Sequence, residues 1–160
     1  MKSWPRFAKA QAVNPIPVAT YMTGTVYVAL GGVMGILGLA DTLLGEDALG
    51  FFVGAVIGLL LGALLRRLGS PQAEPRRAEA LLTVAGLWIL VPVLGAVPFW
   101  ISGGLSYLDA LFEATSGFST TGATILADFE QFSYGLFFWR SLSQWFGGMG
   151  ILLLFIVVLP

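Results

Sequence analysis

The distribution of charged residues constrains this sequence more than any other feature. Three long stretches carry no charged residue, namely 10–40, 48–65 and 80–108. A fourth stretch, 131–160, carries only Arg140. Because about 20 apolar residues in helical form cross the roughly 30 Å hydrocarbon core of a bilayer, we predict an all-α integral membrane protein. Its transmembrane helices are expected at 18–40, 50–65, 80–101 and 134–159.

The composition argues against a soluble domain. Hydrophobic residues make up 57% of the 160 residues and charged residues 11%, whereas soluble domains carry about 25% charged residues. The net charge of −1 gives no reason to expect a nucleic-acid partner. The chain has no His and no Cys, the residues most used for acid–base catalysis, thiolate chemistry and zinc binding. We therefore expect neither an enzyme nor a bound cofactor.

The basic residues are distributed unevenly among the connecting segments. Seven of the eight lie before the first predicted helix or between the second and third: Lys2, Arg6, Lys9, Arg66, Arg67, Arg76 and Arg77. The loop between the first two helices carries only acids: Asp41, Glu46 and Asp47. Because Lys and Arg concentrate on the cytoplasmic side, segments 1–17 and 67–79 are predicted to be cytoplasmic. A helix pair, 18–66, lies between them.

The segment between the third and fourth predicted helices is too apolar for a simple exposed loop. Ser106 can cap a short helix over 106–116, which we expect to end at Gly117 in a left-handed conformation. The run STTGAT that follows is typical of extended backbone, predicted over 117–125. A short helix that returns as extended chain is a re-entrant loop, tolerated at membrane depth where it lines a water-filled path.

Such a loop has the geometry of a cation site. The C-terminal end of its helix dipole points to the membrane centre and favours positive charge there. Extended backbone beyond the helix can offer carbonyl oxygens in place of an ion's hydration shell. From the residues alone, an amphipathic helix lying on the outer bilayer surface explains the segment equally well.

Longer motifs distinguish these alternatives. The runs DALFEATSGFSTTGATIL and LFFWRSLSQWFGGMGILLL, with RRAEALLTV and VPFWISGG before them, resemble the first pore repeat of the bacterial Trk/Ktr potassium-uptake transporters, whose superfamily includes plant HKT transporters. The strong match covers 76–160, and the two earlier helices resemble the extra N-terminal pair of Trk-type membrane subunits. The resemblance implies a pore repeat over 80–160, with outer helix 80–101, pore helix 106–116, filter strand 117–125 and inner helix 134–159.

The resemblance also implies a site. The family's selectivity filter corresponds to the backbone carbonyls of Thr120, Thr121, Gly122, Ala123 and Thr124, and K⁺, the transported ion, is expected at the first three. In this family a serine at the position of Gly122 accompanies sodium permeation in some plant members, so glycine indicates potassium.

The family's chains carry four such repeats around one pore, so this sequence holds one quarter of a filter. We expect an N-terminal part of a longer protein in the bacterial inner membrane; the alternative is a short protein that assembles four copies. By resemblance, the partners are lipid, the remaining repeats, a second copy in a homodimer and a cytoplasmic nucleotide-binding regulatory subunit. The alternative function is a non-conducting membrane scaffold.

Arg140 is the single basic residue inside a predicted membrane helix. Ionisable groups at this depth are costly and usually paired, and Glu113 on the predicted pore helix is the expected partner, with Asp109 as the second choice. A structural pair that joins the pore helix to the inner helix is favoured over a charge that lines the ion path.

Overall fold

The computed structural model describes residues 16–71, 77–126 and 132–158, and every regular element in these ranges is an α-helix. This described part of the chain holds six helices: α1 (Ile16–Leu44), α2 (Leu49–Leu68), α3 (Arg77–Gly95), α4 (Val97–Ile101), α5 (Tyr107–Phe118) and α6 (Tyr134–Val158). The predicted all-helical fold is confirmed. Most of segment 1–17 and part of loop 67–79 lie outside the described residues.

Within the described ranges, three helical segments are long and apolar enough to cross a membrane: Pro17–Leu44, Leu49–Leu68 and Thr83–Ile101. They correspond to the first three predicted spans. Helix α6 has 25 residues and, at about 1.5 Å per residue, is long enough to cross. Its first half carries Arg140 and several polar residues, and its crossing stays a prediction.

Helices α1 and α2 form an antiparallel pair held by close backbone contact. A Cβ built on Gly62 would lie 2.7 Å from the Gly24 carbonyl oxygen, and one on Gly58 would lie 3.0 Å from Gly31 Cα. Small residues allow membrane helices to approach this closely. We call the contact surface around these four glycines the α1–α2 seam.

Both helices of the pair are longer than predicted. Helix α2 begins one residue before and ends three residues after the expected 50–65, so its last turn carries two arginines. Helix α1 continues four residues past the expected end, through Leu44. The expectation that Asp41 lies in the loop between the first two helices is wrong, because this residue is within α1. It is also fully buried, with 0% exposure.

The third predicted helix is two helices. A single helix over 80–101 was expected, but Ala96 separates α3 from α4. Ala96 keeps helical φ and ψ of −73° and −22°, and Pro98 has no N–H to donate to the preceding turn. The Gly95 carbonyl beside this interruption accepts a hydrogen bond from Trp139 Nε1 at 3.0 Å, so one backbone carbonyl of the outer helix bonds to a buried side chain of α6.

The core lies where the N-terminal pair meets the later helices. Its fully buried large side chains come from four different helices: Met34, Phe51, Phe99 and Trp139. The Trp139 ring also meets Phe118 of α5 edge to face, with 6.0 Å between ring centroids. Helix α5 is thus packed against α3, α4 and α6, and with 12 residues, about 18 Å, it is too short to cross a bilayer.

Candidate functional site: the loop after helix α5

Helix α5 has the predicted cap but covers Tyr107–Phe118, so it begins one residue and ends two residues later than the predicted 106–116. Ser106 is its N-cap, and the hydroxyl accepts a hydrogen bond from the Asp109 amide at 3.2 Å. The helix runs through Phe118, so the expected end at Gly117 is wrong. Gly117 has another function, because a Cβ there would overlap Ser143 Oγ of α6. The glycine allows close packing and makes no left-handed turn.

The left-handed residue that ends α5 is Thr120, with φ 58°. Its amide donates to the Gly117 carbonyl at 2.9 Å, and the Thr121 amide donates to the Ser116 carbonyl at 3.0 Å. This hydrogen-bond pair is a Schellman motif, in which the left-handed position is usually glycine. A β-branched residue rarely adopts positive φ, so the sequence contained no local signal for this turn.

Residues 119–126, which we call the α5–α6 loop, contain no regular secondary structure beyond the turn at its start. The filter strand expected over 117–125 is therefore wrong at 117 and 118, which are helical, and at 119 and 120, which form the turn. Gly122 is a second left-handed position, with φ 75°. The loop thus holds two left-handed residues within three positions.

Glu113, on α5, contacts this loop from the protein interior and is 1% exposed. Its Oε1 accepts hydrogen bonds from Thr124 Oγ1 at 2.6 Å and from the Ile125 amide at 2.7 Å. Its Oε2 accepts from Arg140 Nε at 3.0 Å. A buried carboxylate is costly unless it is paired and hydrogen-bonded, and these three donors meet both conditions.

The structure brings Arg140 to Glu113 and not to Asp109. The Asp109 carboxylate lies at the exposed start of α5, where it accepts a hydrogen bond from Ser106 Oγ at 2.7 Å. The Arg140 side chain is 15% exposed, and its Nη2 lies 3.3 Å from the Gly122 carbonyl oxygen and 3.4 Å from that of Ala123. One guanidinium thus joins α6 to both α5 and the loop.

The five predicted filter carbonyls are not equivalent. The Ala123 carbonyl accepts a hydrogen bond from Ser116 Oγ at 2.5 Å in addition to the Arg140 contact. Among the residues that the structure describes, none donates to the carbonyl of Thr120 or Thr121. Because the Glu113 carboxylate is occupied by three donors, a cation at this loop would meet main-chain oxygens first.

The residues that hold the loop in place include several that the sequence analysis missed. Ser116 and Ser143 are buried, and a Cβ on Gly147 of α6 would overlap the Phe118 carbonyl and lie 3.1 Å from Thr120 Cγ2. Serines and glycines are common in membrane helices for many reasons. Only the three-dimensional contacts distinguish the ones that support the loop.

Comparison with known proteins gives a family. Residues 49–160 match the TrkH family model, described as a cation transport protein. The Trk system potassium uptake protein TrkH of Salmonella typhimurium is 36% identical over 149 residues, which cover 88% of this chain and 30% of that protein. The TrkH of Escherichia coli K12 gives the same values.

An uncharacterized cation transporter of Methanocaldococcus jannaschii is 31% identical over 139 residues, 81% of this chain and 29% of that protein. The chain thus spans about 30% of the length of the curated relatives that it matches. These similarities and the three apolar helices make it part of a multi-pass membrane protein. The chain belongs to the TrkH family of cation transport proteins.

Proposed function

We propose that the complete protein transports K⁺ across the bacterial plasma membrane and that the α5–α6 loop supplies one quarter of its selectivity filter. Two TrkH relatives are named for potassium uptake. The observation that supports the site is that the two parts of the loop differ in hydrogen bonding. Its later residues are held by the side chains of Glu113, Arg140 and Ser116. The carbonyls of Thr120 and Thr121 have no donor among the described residues.

This arrangement suits the binding of a dehydrated cation. An ion that leaves water needs oxygen ligands in place of its hydration shell, and fixed carbonyl dipoles provide them without a counter-charge. Buried hydrogen bonds at the back of the loop hold those dipoles before the ion arrives. The C-terminal end of α5, where the helix dipole is negative, lies directly before the loop.

We assign K⁺ to the carbonyls of Thr120, Thr121 and Gly122, within a filter that extends through Ala123 and Thr124. The Gly122 carbonyl is intermediate between the carbonyls that have no donor among the described residues and the Ala123 carbonyl, which has two. Its 3.3 Å contact with Arg140 is longer than a typical N–H···O hydrogen bond of about 2.9–3.0 Å. We infer that this oxygen is shared between the guanidinium and the ion.

The membrane arrangement is part of the same proposal. With segment 1–17 in the cytoplasm, α1 ends and α5 begins on the outer side, and α5 enters the bilayer as a re-entrant pore helix. Exposed apolar side chains such as Leu43 and Ile89, 88% and 73% exposed, then face lipid or the other three repeats. A homodimer of the complete protein and a cytoplasmic nucleotide-binding regulatory subunit are the remaining proposed partners.

The test of the filter is Gly122→Ser in the complete protein, expressed in a bacterium deficient in potassium uptake. An L side chain at φ 75° is strained by roughly 1–2 kcal/mol, which reorients the carbonyls on either side. Because about 1.4 kcal/mol corresponds to tenfold in an equilibrium, we expect the K⁺ over Na⁺ uptake ratio to fall on the order of tenfold.

Gly45→Ser is the matched control. Gly45 has φ 77°, and a Cβ there would meet no atom within 4 Å, as at Gly122. It lies in the turn between α1 and α2, so it carries the same backbone strain outside the proposed filter. The control should keep the wild-type ratio. A wild-type ratio in Gly122→Ser as well would contradict the filter and favour the non-conducting scaffold.

A further inference from the structure

The end of α1 carries a buried carboxylate that the proposed filter does not use. Asp41 has 0% exposure. Its Oδ2 accepts a hydrogen bond from Ser133 Oγ at 2.8 Å, and its Oδ1 accepts one from the Gly135 amide at 2.9 Å. Both partners lie more than 90 positions further along the chain. The carboxylate therefore links the N-terminal pair to the start of α6.

These contacts cap α6. The first amides of a helix lack intrahelical partners, and Ser133, directly before α6, accepts from the Leu136 amide at 3.2 Å. Asp41 satisfies the amide of Gly135, one residue earlier in the same turn. A carboxylate at this end also interacts favourably with the positive end of the helix dipole. The cap thus combines a residue next to the helix, Ser133, with a residue distant in the sequence, Asp41.

The sequence of α6 is adapted to this distant cap. A Cβ on Gly135 would overlap both carboxylate oxygens of Asp41, so the helix can approach α1 only because its second residue is glycine. Asp41 also anchors its own end of α1, since its carbonyl accepts from the Glu46 amide at 2.9 Å. The position of the α6 N-terminus is therefore fixed relative to α1.

Helix α6 connects this cap to the proposed filter. Arg140 follows Gly135 by five residues, about 7.5 Å along the helix axis. Between them, Leu136 and Trp139 are 2% and 0% exposed, so this part of α6 is packed in the core. A displacement of the first turn of α6 would therefore move the guanidinium that contacts Glu113 and the Gly122 carbonyl.

We propose that Asp41 is a positioning residue for ion selection: by capping α6 from α1, it fixes Arg140 against the α5–α6 loop. This inference rests on the proposed function of that loop. It gives the N-terminal helix pair, which contributes no residue to the filter, an influence on which cation passes.

The experiment measures the K⁺ over Na⁺ uptake ratio and the amount of protein in the membrane for variants of the complete protein in the potassium-uptake-deficient bacterium. Asp41→Ala removes both hydrogen-bond acceptors and should lower the ratio about fivefold, the low end of couplings between separate sites. Asp41→Asn keeps one acceptor for the Gly135 amide, so its uptake ratio should lie between that of Asp41→Ala and that of the wild type. Glu46→Gln is the control for charge, because this acid is exposed in the adjacent turn, and should keep the wild-type ratio.

The outcomes separate positioning from simple stabilisation. If Asp41→Ala reaches the membrane and transports more slowly with an unchanged ratio, the inference is overturned. If it does not reach the membrane, Asp41→Asn and Ser133→Ala decide, and unchanged ratios in both overturn it as well. If Gly122→Ser changes the ratio and the Asp41 variants do not, only the inference about Asp41 is overturned. If neither Gly122→Ser nor the Asp41 variants change the ratio, the proposed filter is overturned as well.

Discussion

The α1–α2 seam and the α5–α6 loop both bring backbone close to a neighbouring helix, but they do so by opposite means. The seam has glycines on both helices, and its backbones meet directly, as at Gly24 and Gly62. At the loop, Gly147 lets α6 approach the first residues closely, but the residues that follow are held by polar side chains, with Glu113 and Arg140 at the centre. Contact through glycine favours tight packing, whereas contact through hydrogen bonds fixes the direction of each carbonyl.

This difference predicts different consequences of mutation. Changes at the seam alter how well two apolar helices pack and should affect stability without affecting which ion passes. Changes in the hydrogen bonds behind the loop should affect both, because they hold the proposed filter carbonyls. Three substitutions test this contrast, beginning with the one that should cost most.

Arg140→Ala should have the largest effect on stability. It leaves the 1% exposed Glu113 without its cationic partner, and breaking a buried ion pair in this way costs about 3–5 kcal/mol. The hydroxyl of Thr124 and the amide of Ile125 still donate to the carboxylate, so we expect the lower end of that range. Thermal unfolding in detergent measures the loss.

Arg66→Ala is the control for loss of a cationic side chain. Arg66 lies in the last turn of α2, exposed, with its guanidinium 5.4 Å from the centroid of the Tyr21 ring. An exposed interaction of this kind is worth about 0.5–1 kcal/mol. Equal destabilisation by the two substitutions would show that the Glu113–Arg140 pair is no more important than a surface contact.

Gly62→Ala should have an intermediate effect and acts at the seam. Its Cβ would lie 2.7 Å from the Gly24 carbonyl oxygen and 2.8 Å from the Val28 amide nitrogen. Neither can move without shifting the first half of α1, which lies about 20 Å along the helix from Asp41. Overpacking of this kind costs about 1–3 kcal/mol. The unfolding temperature should fall while the K⁺ over Na⁺ uptake ratio of the complete protein stays unchanged.

Gly32→Ala, in the same helix pair, should raise the unfolding temperature instead of lowering it. Gly32 is in α1, and a Cβ there would meet nothing within 4 Å. Replacing a helical glycine by alanine at an open position stabilises by roughly 0.5–1 kcal/mol. A change in the ion ratio on Gly62→Ala would contradict the separation between the seam and the loop.

The parts of the fold that the sequence predicted are those set by local composition. Long charge-free stretches give the three apolar spans, and the serine before a short apolar helix gives the Ser106 cap. Interactions between distant residues were not predictable in the same way. Asp41 was assigned to a loop because the residues that bury it, Ser133 and Gly135, come over 90 positions later.

The end of α5 was also not predictable from the local sequence, although the residues involved are close together in the chain. A glycine was expected to end α5, but Gly117 is used for contact with Ser143 and the left-handed position falls on Thr120. Packing against α6 thus determines where the helix ends, against the usual residue preference. The expected partner of Arg140 was found because an intramembrane charge requires one, and few acids were within reach.

Ser116→Ala should have the smallest effect on stability, yet it tests the orientation of a single carbonyl. It removes the hydroxyl that donates to the Ala123 carbonyl and leaves the Arg140 contact with that oxygen, at 3.4 Å. One hydrogen bond contributes about 0.5–1.5 kcal/mol, so the unfolding temperature should fall slightly and the K⁺ over Na⁺ ratio measurably. Ser141→Ala, which removes an exposed hydroxyl bonded to the Phe137 carbonyl within α6, should change neither. If the two variants behave alike, hydrogen bonding behind the loop does not fix its carbonyls, and the contrast with the seam disappears.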